Sequence, residues 1–231
     1  MLKRNRVPEL MDDQALDPMA HKSARIGLDR INAFGRMSSV LFSPLYTLVE
    51  ECKLAELRVL DLATGSGELA IGLWAHAHEK QCDLRIAGCD FSEVAIQIAK
   101  DSAQRAGAPV DFFRMDVLKD DLPQDYDVIM TSLFTHHLSE DEVVDLMRRM
   151  KSAAKKMVVI NDLERSHLNY ALVWLATRLL TNSPVVRFDG PASVRNAFTA
   201  GEFRRLAAAA GLDGARIVPA SPCRMMLVWR K

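Results

Sequence analysis

The chain is expected to fold as an α/β protein: a doubly wound, mostly parallel sheet with helices on both faces and a C-terminal antiparallel strand. Three observations predict it. Short apolar runs of strand length alternate with longer segments of helical period. A glycine turn, Ala63-Thr64-Gly65-Ser66-Gly67, stands between the first run and the next helix. Asp61, Asp90, Asp116, Ser132 and Asn161 stand at the C-terminal ends of successive runs, where such sheets bind ligands.

The 231 residues, 49% of them apolar, suffice for one sizeable core. The expected organisation is an N-terminal helical cap over 1–55 and a ligand-binding domain over 56–231, with a helical lid at 163–200. Thirty basic and thirty acidic residues cancel, which argues against nucleic acid as a partner and for a small-molecule substrate. Cys52, Cys82, Cys89 and Cys223 lack metal-ligand spacing, and the apolar settings of Cys89 and Cys223 suggest buried thiols in a reducing cytoplasm. Pro8, Glu9, Asp12 and Asp13 follow the basic start where a signal peptide needs an apolar run. Nothing reaches the roughly 20 apolar residues of a membrane span, so no stable insertion is expected. No pattern specifies an oligomeric state.

In chain order, Ile26, Leu28, Ile31, Phe34, Leu41, Phe42, Leu45, Leu48 and Val49 suggest two amphipathic helices, broken near Gly35 and Pro44. The first strand, Leu57 to Leu62, enters the glycine turn. Gly65 and Gly67 lack a Cβ, so the turn can take positive φ and a ligand can lie against the backbone at a helix start. The helix beginning Leu69-Ala70-Ile71 is apolar nearly all round, as burial against a sheet requires. Leu84 to Asp90 is the second strand, and Asp90 closes it at the distance where a ribose-binding carboxylate follows such a turn. Ser92 is placed to cap a helix running to about Gly107, with Val94, Ala95, Ile98 and Ala99 facing inward. Strands follow at 110–114, 127–132 and 157–160. Ser139 with Glu142 and Thr199 with Glu202 are capping boxes. Leu168 to Leu180 is an apolar helix containing Trp174, and 215–218 with 225–229 forms a closing pair of strands.

The segments 59–67, Asp90-Phe91-Ser92, Met115-Asp116-Val117 and 133–138 together resemble the class I S-adenosylmethionine-dependent methyltransferases, over residues 57–231. Within that family the chain looks similar to the small-molecule enzymes of ubiquinone and menaquinone biosynthesis. The resemblance implies a Rossmann-like fold and S-adenosyl-L-methionine as cofactor. It implies that the glycine turn holds the methionine part, Asp90 both ribose hydroxyls and Asp116 the adenine amino group. The implied cofactor set is Asp61, Ala63, Gly65, Gly67, Asp90, Phe91, Asp116, Val117 and Ser132. Ala63 stands where the family has its first glycine. Phe91 offers an apolar surface to a purine, and Asp61 is placed to orient the turn or meet the cofactor's ammonium group.

His136 and His137 follow the fourth strand, beside the expected methyl position. A neutral imidazole there would help deprotonate a phenol, whose pKa is about 10. Adjacent residues of an extended stretch point opposite ways, so one of the pair enters the cleft, with His137 preferred as base. Asn161-Asp162, beyond the fifth strand, resembles the metal pair of magnesium-dependent catechol methyltransferases, but Thr131-Ser132 supplies no third acid, and no metal is expected. Arg165 is expected to pair with Asp162 or meet a substrate oxygen, and Arg195 is a second candidate of that kind. O-methylation of a phenol, quinol or polyketide-like aromatic is the favoured reaction, with C-methylation of a quinol ring close behind. Gly65-Ser66-Gly67-Glu68-Leu69-Ala70 also fits the G-x-G-x-x-A turn of a nicotinamide-dinucleotide oxidoreductase. A cofactor-binding protein without catalysis is the other alternative.

Overall fold

The structure is a computed structural model that describes residues 3–12, 17, 19, 23, 24, 37–220 and 222–231. The expected helix through Ile26, Leu28, Ile31 and Phe34, and its break near Gly35, lie outside those residues. Helix α1 spans Met37–Cys52 and strand β1 Leu57–Leu62. Next come α2 (Glu68–Glu79), β2 (Leu84–Asp90), α3 (Glu93–Ala106), β3 (Asp111–Arg114) and β4 (Val128–Ser132). A 3-10 turn at Thr135–His137 leads to α4 (Glu140–Ala153) and β5 (Met157–Leu163). Helices α5 (His167–Leu180), α6 (Pro184–Asn196) and α7 (Ala200–Ala209) precede β6 (Arg216–Ala220) and β7 (Arg224–Arg230).

The sheet order is β3-β2-β1-β4-β5-β7-β6, with β1 to β5 parallel and β7 antiparallel to both β5 and β6. The expected architecture is therefore the observed one. Strand order reverses between β1 and β4, and ligands of open α/β sheets bind at the carboxyl ends beside such a reversal. The register places Asp61 level with Gly88 of β2 and Met130 of β4.

Alternation along each strand sorts the core into two layers. Leu57, Val59, Ile86, Val128 and Val159 pack under α1, α2 and α3, whereas Leu60, Leu62, Cys89, Ile129 and Ile160 pack under α4 and α7. Met37, Leu41, Phe42, Leu45 and Leu48 put α1 into the first layer, so this helix covers a face of the sheet.

Local sequence sets the helix starts. The Ser92 hydroxyl accepts from Ala95 N–H, both expected capping boxes form, and Ser166 and Ser183 cap α5 and α6. Four expectations need correction. Pro44 lies inside α1 instead of breaking it, because the buried residues on both sides of it outweigh a cost of about 3 kcal/mol. The inner face of α3 is Ile96, Ala99 and Ala103, with Val94 exposed. Strand β5 runs on through Asn161, Asp162 and Leu163, because β7 pairs with it as far as Arg224. All four cysteines are free thiols, but only Cys89 is fully buried, and Cys223 is half-buried. No helix among the described residues is long and apolar enough to cross a membrane.

Candidate active site

Asp61 is the buried anchor of the turn. Its Oδ2 accepts from the Thr64 hydroxyl at 2.6 Å, while its Oδ1 is buried without a hydrogen-bond partner. Burial pushes its pKa up to about 7, opposed by the Thr64 hydrogen bond and reinforced by the charge of Asp90. An orphaned acceptor of this kind, at the carboxyl end of β1 beside the reversal of strand order, fits a cationic or N–H donor group.

The turn has positive φ at Ala63 (53°), Gly65 (56°) and Gly67 (76°). Ala63 therefore occupies the left-handed region despite its Cβ, at a cost of about 1 kcal/mol. The two glycines do different work. A Cβ on Gly67 would stand 2.6 Å from Cζ of Phe112 and 2.9 Å from Cβ of Ala99, so this glycine lets the helix start sit on β3 and α3. A Cβ on Gly65 would meet nothing within 4 Å, which leaves an open cradle against the backbone.

Asp90 ends β2 with both oxygens engaged: Oδ2 accepts Gly65 N–H at 3.0 Å and Oδ1 accepts Ser92 N–H at 2.9 Å. Each oxygen keeps further lone-pair capacity, so the carboxylate can hold the turn and still accept two hydroxyls. Phe91 beside it is 64% exposed, which leaves its ring open to a ligand rather than committed to the core. Asp116 accepts from Leu118 N–H at 3.1 Å and pairs with Lys119 at 2.9 Å, and Lys119 holds its pKa below the usual range. It thus caps its own turn. Val117 is buried, with its carbonyl receiving the Arg149 guanidinium at 2.6 Å. Ser132 accepts from the Asn161 amide at 2.7 Å at the tip of β4.

The two histidines differ from the extended arrangement expected of them. They lie in the 3-10 turn, and their ring centroids are 4.2 Å apart. His136 is buried, with Nδ1 2.6 Å from Asp162 Oδ1 and Nε2 3.5 Å from Glu9 Oε1. Burial alone would lower its pKa, but the Asp162 and Glu9 carboxylates push it up to about 10. In this state His136 is an imidazolium and not a neutral base. His137 is half-buried beside it, and its carbonyl accepts from Arg6 at 2.8 Å.

Arg165 pairs with Glu202 at 2.6 Å instead of Asp162. Asp162 points from β5 toward the 3-10 turn, whereas Arg165 lies past the strand at the start of α7. Arg195 lines a cleft of about 580 Å³ with Lys3, Arg4, Asn5 and Tyr170.

Sequence reasoning missed Glu9. The segment 3–12 runs across the site: Arg4 donates to the Leu138 carbonyl at 2.6 Å and sits 3.7 Å above the Phe198 ring, and Asn196 binds both backbone groups of Val7. No local pattern announces a contact across more than a hundred residues.

Residues 59–157 match the family model described as a methyltransferase domain. The release factor glutamine methyltransferase of Bacillus subtilis (strain 168) is 33% identical over 93 residues, 39% of this chain and 30% of that protein. The chain thus spans under a third of the length of the curated relative it matches. The plantazolicin methyltransferase BpumL, crystallised with a pentazolic desmethylPZN analog and SAH, superposes with a TM-score of 0.71 at 17% identity, covering 93% of this chain and 91% of that one. The magnesium protoporphyrin IX methyltransferase (ChlM) of Synechocystis PCC 6803 with bound SAH gives 0.59 at 17% identity, over 96% and 91%. At these identities the likeness establishes the fold.

Proposed function

From a chain that carries a methyltransferase domain over residues 59–157 on the class I fold, we propose an S-adenosyl-L-methionine-dependent methyltransferase of a small acceptor. The acceptor class is aromatic, a phenol, quinol or polyketide-like ring, and O-methylation is favoured over C-methylation. The single observation that carries the reading is the cradle beside the β1–β4 reversal: the unpartnered Asp61 oxygen, the open Gly65 and the two-armed Asp90.

These residues fit the cofactor. Asp61 faces the ammonium group, and the backbone at Ala63, Gly65 and Gly67 holds the methionine part. Asp90 accepts from the ribose hydroxyls, while exposed Phe91 covers one purine face. Asp116, Val117 and Ser132 border the rest of the cleft. Bound there, the cofactor supplies an electrophilic methyl group. Positioning provides much of the rate of such a displacement, so a rigid cradle is the chain's main contribution.

His137 takes the acceptor's hydroxyl proton. His136, held as an imidazolium by Asp162, is a positioning residue that fixes the turn carrying His137. Helices α5 and α6 are the lid. Leu172, Trp174 and Leu175 are exposed on α5, which suits an aromatic or lipid-tailed acceptor. The chain acts in the cytoplasm on a small molecule rather than on nucleic acid.

Isothermal titration with S-adenosylmethionine, then a screen of phenols and quinols with product identification, tests this. The expected result is cofactor binding, an O-methyl product, and a His137→Ala variant that keeps cofactor affinity and loses turnover. A chain indifferent to the cofactor overturns the reading. Cofactor binding with no methylated product points to a binding protein, and unchanged turnover in His137→Ala removes the base.

A further inference from the structure

Glu9, His136 and His137 each turn one ligand atom into a common space, all within 4.8 Å of one another. The elements that bring them there are the N-terminal segment and the 3-10 turn after β4. The separation of His136 Nε2 from Glu9 Oε1, 3.5 Å, is long for a charged hydrogen bond of about 2.7–2.9 Å. It is close to the edge of a tetrahedron around an ion with bonds of about 2.0–2.1 Å, roughly 3.4 Å, and the three atoms, within 4.8 Å of one another, draw together when the ion binds.

His136 and Glu9 have outer partners of the kind that metal ligands have. Asp162 takes the Nδ1 side of His136 at 2.6 Å, which turns Nε2 toward the shared space. The Ser193 hydroxyl donates to Glu9 Oε1 at 2.6 Å and orients that carboxylate. The guanidinium groups of Arg4, on the Leu138 carbonyl, and Arg6, on the His137 carbonyl, oppose a cation, and the carboxylates of Glu9 and Asp162 offset them.

We infer that Glu9, His136 and His137 bind one divalent transition-metal cation of the zinc class, with a coordination position left open. Two imidazoles and one carboxylate are a ligand set of catalytic zinc sites, in which the fourth position takes water or substrate. His136 is an imidazolium only in the metal-free chain, and its Nε2 proton leaves to solvent when the ion takes that nitrogen. The expectation of no metal rested on the missing third acid at Thr131-Ser132, and this set uses neither that strand tip nor Asn161 as a ligand. One consequence rests on the methyltransferase reading. With the ion bound, an acceptor hydroxyl in the open position would be acidified and would lose its proton to solvent, while His137 would serve as a ligand; its role as base belongs to the metal-free chain.

The full chain is stripped with a chelator and titrated with Zn²⁺, and with Co²⁺ as a spectroscopic probe. The expected result is one ion per chain and a visible Co²⁺ spectrum of nitrogen and oxygen coordination. Glu9→Gln and His137→Gln should each weaken Zn²⁺ binding by about 100-fold, and Ser193→Ala by about 10-fold. Thermal melts of the same preparations report whether each variant is folded, and S-adenosylmethionine titration reads the cofactor site separately. Absence of Zn²⁺ binding in the unaltered chain, or equal binding in folded Glu9→Gln and His137→Gln, overturns the inference. Metal binding without cofactor binding removes the methyltransferase reading and leaves the metal site standing.

Discussion

Nδ1 of His136 lies 2.6 Å from Oδ1 of Asp162, and both side chains are sealed from solvent. The same carboxylate also accepts from the Thr135 hydroxyl, from His136 N–H at 2.9 Å and from Leu163 N–H at 2.7 Å. Burial alone would raise its pKa, but His136 and these donors hold it below the usual carboxylate range. One side chain on β5 thereby fixes the turn that ends β4.

Asp162→Asn should therefore be costly despite its near-identical shape. An amide nitrogen would face donors where an oxygen now accepts, and the buried imidazolium would lose its counter-charge. Breaking such a pair costs about 3–5 kcal/mol, read as a lower urea midpoint at unchanged m-value.

Gly67→Ala and Gly65→Ala should separate folding from binding. At Gly67 the new Cβ meets Phe112 and Ala99 at under 3 Å with φ at 76°, so stability falls by about 2–3 kcal/mol and Phe112→Leu restores part of it. At Gly65 the space is open, so only about 1 kcal/mol of backbone strain is added. Cofactor affinity should fall in Gly65→Ala, because the methyl occupies the cradle. Thermal melts with and without S-adenosylmethionine distinguish the two.

Asp61 gives the apo chain a pH dependence of defined sign. Its pKa rises from 3.8 in the unfolded chain to about 7 in the fold, so the folded state favours the protonated form. This contribution is complete below about pH 4 and is lost as pH rises through about 7. Asp61→Asn should raise the melting temperature of the apo chain at pH 8 more than at pH 5 while weakening cofactor binding. An equal shift at both pH values would refute the assignment.

Asp90 and Phe91 should contribute unequally to cofactor affinity. Each hydrogen bond to a charged group is worth about 1.5–3 kcal/mol, so Asp90→Ala should weaken binding at least 100-fold. Phe91→Ala removes a ring face worth about 0.5–1.5 kcal/mol, a loss of under about 15-fold. Isothermal titration of both variants checks the order.

Helix α6 and the caps at Ser166 and Ser183 could be seen only in the structure, whereas the sheet, the glycine turn and the helix starts at Ser92, Ser139 and Thr199 could be read from the sequence. These features are local: alternation assigns each strand residue to a layer, and a capping hydroxyl needs only the next three residues. That Asp61 and Asp90 meet at the glycine turn was legible because strand ends in this fold converge. Tertiary structure alone decided the state of the histidines. Whether His136 is a neutral base or a buried cation depends on Asp162, 26 residues ahead, and on Glu9, which reaches it from the N-terminal segment. It likewise decided that Pro44 stays within a helix and that Arg165 pairs with Glu202. Charge state and partner choice are set by which groups share a desolvated space, and chain spacing does not encode that when the partners come from distant segments.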